Sequence, residues 1–469
     1  MTVTAAGIVR TGSPPGDAPH VPVAIVGAGA CGLTAALMLA DTGLECVVLE
    51  RDASPSGSTA LSSGFIPAPG TRVQKSHGID DSALQFERDI QAKARGTAAP
   101  HLARAYAQSI GPTLDALEEK HGLQFELLEG FLYPGHSALR MHAVPERTGA
   151  DLMSRLRRAA DAAGIDVMTE ALVRELWVGE AGQVVGLGFL RPDGSMERLT
   201  CGAVLLACNG FGGNPALVRE LLPEMADATF AGHLGNDGSA IAWGRALGAR
   251  MADLGGYQGH GSWAIPQGVL VSWALMVEGA IQVNREGLRF HDETQGYSEA
   301  AVHVLAQQSG VAWDVFDDKL LGFAQQFPDF REAQAAGAVY QAPDIDALAA
   351  LIGCNAATLR TTLECVRAGA TAPDGRQFRR ALAPLYHAVK VTGALFHTQG
   401  GLDIDAGCRV LRQDGEPWPN LLAAGGAARG VSGNAVWGYL SGNGLLSAVA
   451  GGAIAAHTAV QWLASRESR

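Results

Sequence analysis

Apolar positions along this chain fall into two kinds of run. Residues 21–26, Val21-Pro-Val-Ala-Ile-Val26, are apolar throughout and rich in β-branched side chains. A run of that kind predicts a strand covered on both faces, as in a parallel sheet. Residues 33–42 are rich in Ala and Leu and predict a helix that stops near Gly43; residues 44–49 predict the next strand, which ends at Glu50. Residues 171–178 read as a strand, and the stretch from Val204 reads as another that feeds a glycine turn. Ala/Leu-rich stretches around 298–308, 344–351 and 356–368 predict helices, and a further helix follows Gly442-Asn-Gly444 to about residue 456. The first twenty residues, Met1 to His20, are polar and rich in Pro and Gly and predict a flexible tail.

A chain of 469 residues is long enough for two domains with cores of their own. Glycine is abundant, at 60 residues, and clusters at the predicted strand–helix junctions, which suggests backbone pressed close to a ligand. The formal net charge of -12 repels a polyanion and argues against nucleic acid as a partner. The chain shows no apolar run judged long enough to span a bilayer, and its first residues lack the apolar core of a signal peptide, so the expectation is a cytoplasmic protein without membrane insertion. Seven cysteines are scattered with no Cys-x-x-Cys pair. Free buried thiols are expected, rather than a disulfide framework, a zinc site or a dithiol couple; no metal is called for.

Chemistry first enters at Gly27-Ala-Gly-Ala-Cys-Gly32, directly after the first strand. In a strand, G-x-G-x-x-G, helix, strand, acid sequence, Gly27 permits a tight turn, Gly29 lets the backbone approach a pyrophosphate, and Gly32 lets helix and strand pack closely. The helix that opens at Ala30 and Cys31 offers N–H groups and a positive dipole end to phosphates. Glu50, about 20 residues on, is placed to accept from ribose hydroxyls. Arg51 beside it could suggest a 2′-phosphate, a reading the residues that follow do not favour.

Gly57-Ser-Thr-Ala-Leu-Ser-Ser-Gly64 brings Ser58, Thr59, Ser62, Ser63 and Gly64 into one small hydroxyl-rich loop. From here the sequence resembles the fumarate reductase/3-ketosteroid dehydrogenase superfamily of flavoproteins, in which this loop passes the isoalloxazine; the continuation Phe65-Ile-Pro-Ala-Pro69 is most like the ketosteroid branch. The strand at 171–178, with Val173, is similar to the one whose backbone meets the adenine. Val204-Leu-Leu-Ala-Cys-Asn-Gly-Phe-Gly-Gly-Asn214, which contains Ala207, Cys208, Asn209 and Gly210, resembles the family's ATGGFGGN segment, and Asn236-Asp237-Gly its GDG turn. Val283-Asn-Arg-Glu-Gly-Leu-Arg-Phe290 resembles VNREGKRF, and His397-Thr-Gln-Gly-Gly-Leu402 resembles HTMGGV. Gly425 and Gly426, then Gly442, Asn443, Gly444, Leu445 and Leu446, look like the closing FAD segment, whose helix N-terminus would stabilise the reduced flavin's pyrimidine edge. The likeness spans about residues 21–456. It implies an α/β fold: a discontinuous Rossmann-like FAD-binding domain at 21–251 and 385–469, with an inserted α+β capping domain at 252–384 and substrate held at their junction. No histidine stands near Ser58, so dissociable FAD is expected. No second complete dinucleotide motif is present for a nicotinamide.

For catalysis, the resemblance points to His397 as a substrate-binding histidine, and more loosely to His260 in Gly255-Gly-Tyr-Gln-Gly-His-Gly261. Arg429 falls several residues from the register of a carboxylate-binding arginine, with a surface or phosphate role as the alternative. Tyr439 is a candidate to polarise a carbonyl; Tyr257 and Tyr386 are weaker versions of the same idea, and Trp273 and Trp437 are read as walls. Met276 stands where fumarate reductases carry their proton-donating arginine, and a thioether transfers no proton, so plain fumarate reduction is not expected. Glu278 nearby is ionisable, with structure as likely a use as catalysis. The expectation is a CH–CH (C=C) dehydrogenase, desaturase or ene-reductase acting beside a carbonyl, on a cyclic ketone or small carbonyl acid, with an unidentified electron acceptor or donor. The alternatives are oxidation of an amine or alcohol, and flavin binding without turnover.

Overall fold

A computed structural model describes residues 7–467. The chain divides into two compact units: Met1–Leu221 with Gly232–Tyr257 and His397–Arg469, and Leu222–Ala231 with Gln258–Phe396.

The first unit is built on a nine-stranded mixed sheet. Its main path runs Ile8–Thr11, Leu172–Val178, Val184–Leu190, Met196–Leu206, His20–Val26, Cys46–Leu49 and Asp166–Met168, and Pro417–Ala423 adds to the far half of Met196–Leu206. The apolar run read at 21–26 is the centre of this sheet, and Val23 to Val26 are buried, as a strand covered on both faces must be. His20–Val26, Cys46–Leu49, Met196–Leu206 and Pro417–Ala423 pair in parallel. In register they end level, at Val26, Leu49, Leu206 and Ala423. The residues that follow each strand therefore emerge along one edge, the place where open parallel sheets bind ligands.

Helix Ala30–Ala40 is almost wholly buried. It packs on the terminal helix Asn443–Glu467, where a Cβ at Gly452 would stand 2.4 Å from the Cys31 carbonyl oxygen. That terminal helix is long and apolar enough, by length and composition, to cross a membrane, which corrects the expectation that no such run exists. Leu446, Val449, Ala450, Ala455, Ala456 and Ala459 on it are buried in the unit's core. This is what a core helix of a folded domain looks like.

The second unit is α+β. Its sheet runs Val269–Leu270, Tyr257–Ala264, Tyr386–Thr398, Val311–Asp317 and Ile281–Val283; Val269–Leu270 pairs antiparallel with Tyr257–Ala264, Val311–Asp317 pairs antiparallel with both Tyr386–Thr398 and Ile281–Val283, and the long central strand also takes Val339–Ala342 in antiparallel and Thr229–Phe230 in parallel. Helices Tyr297–Leu305, Asp318–Ala324, Pro328–Ala335, Ile345–Ile352 and Ala356–Cys365 enclose a core of its own.

Two placements differ from the sequence reading. Within the stretch read as a tail, Ile8–Thr11 is a strand paired in parallel with residues 175–178, and Arg10 binds the buried Glu175 at 2.8 Å; residues 1–6 lie outside the described residues. The expected cap at 252–384 stops too early. Tyr386–Thr398 pairs with Val311–Asp317 from Tyr386 to Thr392, so the strand belongs with the second unit as far as Phe396. Thr229–Phe230 joins the same unit by pairing with Ala394 and Leu395.

Candidate active site and cofactor cradle

Each glycine of the first turn has its own steric reason. Gly27 takes φ +107°, and a Cβ there would stand 2.6 Å from the Ala207 oxygen. At Gly32 a Cβ would stand 1.9 Å from the Gly27 oxygen, so only glycine lets the helix lie against the strand. Gly29 is different: its nearest neighbour is Thr59 Oγ1 at 3.7 Å. The space beside it is open, where a phosphate could approach the backbone. Gly29 is also the N-cap of helix Ala30–Ala40, which has no side-chain cap and no acid in its first turn. The Ala30 N–H is met by Thr59 Oγ1 at 3.2 Å, and no acidic side chain in the first turn offsets the positive end of the dipole.

Glu50 is buried, and its carboxylate accepts from the backbone N–H of Ala28 at 2.8 Å and of Asp52 at 3.0 Å. A carboxylate has about four lone-pair sites, so two bonds leave acceptor capacity for ribose hydroxyls. The Glu50 carbonyl accepts from Ala171 N at 2.8 Å, which brings the start of the Val173 strand alongside. Arg51 is occupied elsewhere. It donates to the Gly235 carbonyl at 2.9 Å and pairs with Asp237 at 3.5 Å. Asp237 in turn accepts from Ser239 N at 3.0 Å and opens helix Ser239–Leu247. Arg51 and Asp237 are thus held by each other and by this turn.

The hydroxyl loop is more inward-looking than its composition suggested. Ser58 Oγ accepts from Asn209 Nδ2 at 3.0 Å and from Asn236 Nδ2 at 2.9 Å, and Thr59 Oγ1 accepts from Ala30 N at 3.2 Å. Ser62 Oγ donates to the Thr59 carbonyl and accepts from Gly64 N, so it braces its own loop; Ser63 is exposed. Gly64 takes φ +73° against Thr148. Asn236 was read only as part of a turn, yet it is buried and holds Ser58; its sole sequence signal was an amide in a glycine-flanked turn. Across the sheet edge, Ala207 N donates to the Val26 carbonyl at 2.9 Å. Burial pushes the Cys208 thiol up to about 12, so it stays protonated. A Cβ at Gly210 would lie 2.0 Å from Thr398 Oγ1, and one at Gly426 would lie 2.1 Å from Asn209 Oδ1. Gly425 takes φ +60° beside them.

The terminal helix begins at Asn443, after Gly442 at φ +88°. His397 meets its first turn: a Cβ at Gly444 would stand 2.7 Å from the His397 Nε2. The ring is edge-on to Tyr439, with centroids 5.6 Å apart. On its other nitrogen, Nδ1 lies 3.0 Å from Gln399 Nε2 and 3.3 Å from the Thr398 carbonyl oxygen. Gln399 Oε1 accepts from Ser432 Oγ at 2.9 Å, and Ser432 Oγ accepts from Asn443 Nδ2 at 3.0 Å. Burial pushes the His397 pKa down to about 4, so the imidazole is neutral at pH 7.

The profile of the FAD binding domain family matches residues 22–445, most of the chain. The chain belongs to that family. This FAD-binding chain is 27% identical over 455 residues to a probable fumarate reductase, Ifc3, of Shewanella frigidimarina, a match that covers 94% of this chain and 74% of the relative. Among solved structures, the open conformation of a flavocytochrome c3 fumarate reductase superposes with a TM-score of 0.81 at 26% identity, covering 95% of this chain and 78% of that one. A 3-ketosteroid-Δ4-(5α)-dehydrogenase from Rhodococcus jostii RHA1 shares the fold, with a TM-score of 0.76 at 24% identity over 96% of this chain and 99% of that one. The likeness to fumarate reductases read from the motifs is thereby borne out, the likeness to ketosteroid dehydrogenases holds for the fold, and the protein is an FAD-dependent oxidoreductase.

The residues present fit FAD. The open space at Gly29, the helix start with no acid in its first turn and the spare acceptor sites of Glu50 suit a pyrophosphate and ribose. At the other end, Asn443 Oδ1 is a buried acceptor with no partner among the described residues, an arrangement that calls for a donor from a bound group. Leu445 and Leu446 behind it are buried in the core.

The remaining candidates of the FAD-binding chain divide. Arg429 is already neutralised: its guanidinium binds Asp253 at 2.6 Å and Asp403 at 3.4 Å, and Arg250 shares Asp403 at 2.7 Å. Its reading as an anion binder is corrected to a link between the 253 and 403 turns, because two carboxylates use up its charge. His260 belongs to the second unit. There it stacks between Tyr297 and Phe396, with Trp273 edge-on. Its Nδ1 accepts from Ser262 N at 3.1 Å, and burial pushes its pKa down to about 3. Met276 is 1% exposed, in the core of the second unit, and takes no part in proton transfer. Arg376, which the sequence reading passed over, braces that turn by donating to the Met276 and Ala280 carbonyls at 3.0 and 2.8 Å. Glu278 is half-buried beside it. Trp437 carries the Arg95 guanidinium on its face, 4.4 Å from the ring centre, and Tyr257 and Tyr386 are buried.

Proposed function

We propose that this protein is an FAD-dependent oxidoreductase that adds or removes hydrogen across a carbon–carbon bond next to a carbonyl, on a neutral or singly charged substrate such as a cyclic ketone, with FAD held non-covalently. When bound, FAD supplies the two-electron chemistry. The relatives support the reaction class, since their names describe fumarate reduction and ketosteroid dehydrogenation. The observation that carries the substrate class is that the cationic positions a dicarboxylate would need are spent or absent: Arg429 is engaged by two aspartates, and Met276 is a core thioether.

In this reading His397 holds the substrate carbonyl oxygen through a hydrogen bond and so stabilises the charge that develops on it, and the Tyr439 phenol is the second donor. A neutral imidazole suits an uncharged carbonyl better than a carboxylate pair. The absence of a histidine near Ser58 supports dissociable FAD. Anaerobic titration of the reduced holoprotein with a panel of cyclic enones, linear enones and dicarboxylates tests this. Flavin reoxidation should be fastest with a cyclic enone. Fastest reoxidation by fumarate would overturn the substrate class, and flavin that stays with the polypeptide after acid precipitation would overturn non-covalent binding.

A further inference from the structure

We propose that Gln399 is a positioning residue that fixes the tautomer of His397, so that the imidazole presents Nε2–H toward the first turn of the terminal helix and serves as a hydrogen-bond donor, never as a proton acceptor. The inference rests on the proposed role of His397 at the substrate carbonyl, but its structural part stands on the polar chain alone. That chain is Asn443 Nδ2 to Ser432 Oγ, Ser432 Oγ to Gln399 Oε1, and Gln399 Nε2 to His397 Nδ1, at 3.0, 2.9 and 3.0 Å. Asn443, Ser432 and Gln399 are all buried, so their bonds are not traded for water.

The direction of the chain decides the tautomer. Asn443 Nδ2 donates to Ser432 Oγ and Ser432 Oγ donates to Gln399 Oε1, so both bonds run toward His397 and the Gln399 amide turns its N–H₂ to the ring. Nδ1 then receives a hydrogen it does not own, and the ring's own hydrogen sits on Nε2. Asn443 Oδ1, at the head of the chain, keeps its acceptor role toward a bound group. Among the described residues the Thr398 carbonyl, at 3.3 Å, competes for Nδ1, and it is the longer contact.

The test uses the full-length holoprotein with ¹⁵N-labelled histidine, and His397→Asn to assign the ring among the 13 histidines. Native His397 should show a protonated Nε2 and a bare Nδ1 from pH 6 to 9. Gln399→Glu replaces the donor by a carboxylate that accepts from Nδ1–H. In that variant the neutral ring should flip to the Nδ1–H form, and Nε2–H should return only when the ring is protonated at lower pH. The rate of flavin reoxidation in Gln399→Glu relative to native should then fall at least tenfold from pH 6 to pH 9, with the same flavin content. Gln399→Met should show mixed tautomers and a rate ratio that does not change with pH. A native ring protonated on Nδ1 overturns the inference. A Gln399→Glu ring that flips as expected while the rate ratio stays flat leaves the tautomer assignment standing and removes His397 from the reaction, which separates failure of the inference from failure of the proposed function.

Discussion

Substituting alanine for Gly444 should damage the reaction without damaging the fold. A Cβ at this position would stand 2.7 Å from Nε2 and 2.8 Å from Cε1 of His397, while ordinary contact begins at 3.4 Å. The ring must therefore retreat by about 0.7 Å, the difference between 3.4 and 2.7. No other heavy atom near that Cβ lies closer than 3.7 Å, so the histidine absorbs the whole adjustment. The helix itself gains from the change, by up to about 1 kcal/mol, because glycine is a poor helix former. A misplacement of about 1 Å in a reacting group slows chemistry roughly 10²-fold, so a smaller shift should slow it about tenfold to hundredfold, or about 1.4–2.7 kcal/mol in barrier. Three measurements decide the matter: the melting temperature, the flavin-to-protein ratio, and the single-turnover rate of flavin reoxidation by the best enone of the panel. The expected result is an unchanged or higher melting temperature, full flavin and a slowed rate. Native rates would show that Nε2 of His397 is not used, and a loss of flavin in proportion to rate would assign this turn to the cradle instead.

Other expectations are as specific. His397→Ala should keep its yellow colour and slow reoxidation at least tenfold, about 1.4 kcal/mol, in the same rapid-mixing assay. Glu50→Gln, which removes the charge that holds the Ala28 and Asp52 N–H groups, should weaken FAD binding about tenfold, read by fluorescence titration of the apoprotein. Arg140→Met should destabilise the protein by about 3–5 kcal/mol in urea unfolding, because it strands Asp81 and Asp89 around a fully buried site. Stability should also fall as pH drops below neutral. Burial pushes His136, His142, His291 and His397 down to about 4 and His260 down to about 3. With the unfolded value near 6.5, the folded chain declines protons that the unfolded chain takes up. The stabilisation is complete above pH about 6.5 and is lost as pH falls toward 4, by up to about 1.4 kcal/mol per pH unit for each such histidine. Urea midpoints that stay flat from pH 7 to 5 would contradict the burial of these rings.

The parts of this protein that were legible in its sequence are those in which backbone sterics leave no choice. Gly27, Gly32, Gly210 and Gly426 each face an oxygen closer than any Cβ tolerates, and such positions announce themselves as glycine whatever surrounds them. Three of the four level strands, at 21–26, 44–49 and from Val204, followed from apolar runs, whereas Pro417–Ala423 was not legible as a strand; the order of motifs carried the family. Charge pairing between distant segments left no such mark. Arg429 sits in a glycine-rich stretch that looks like a ligand loop, and nothing local shows that Asp253, 176 residues away, has claimed its guanidinium. Arg10 and Glu175 likewise convert a polar stretch into a strand only once the sheet brings them together, 165 residues apart. The same limit explains Gln399. In sequence it is one mismatch in a short motif; its meaning depends on Ser432 and Asn443, 33 and 44 residues further on (432 − 399; 443 − 399). A motif specifies the residues that must exist, whereas the protonation state in which they work is set by partners that the fold recruits from elsewhere. In this protein the two disagree with a simple reading at Arg429, whose charge Asp253 and Asp403 take up, and at His397, whose Nδ1 is met by Gln399.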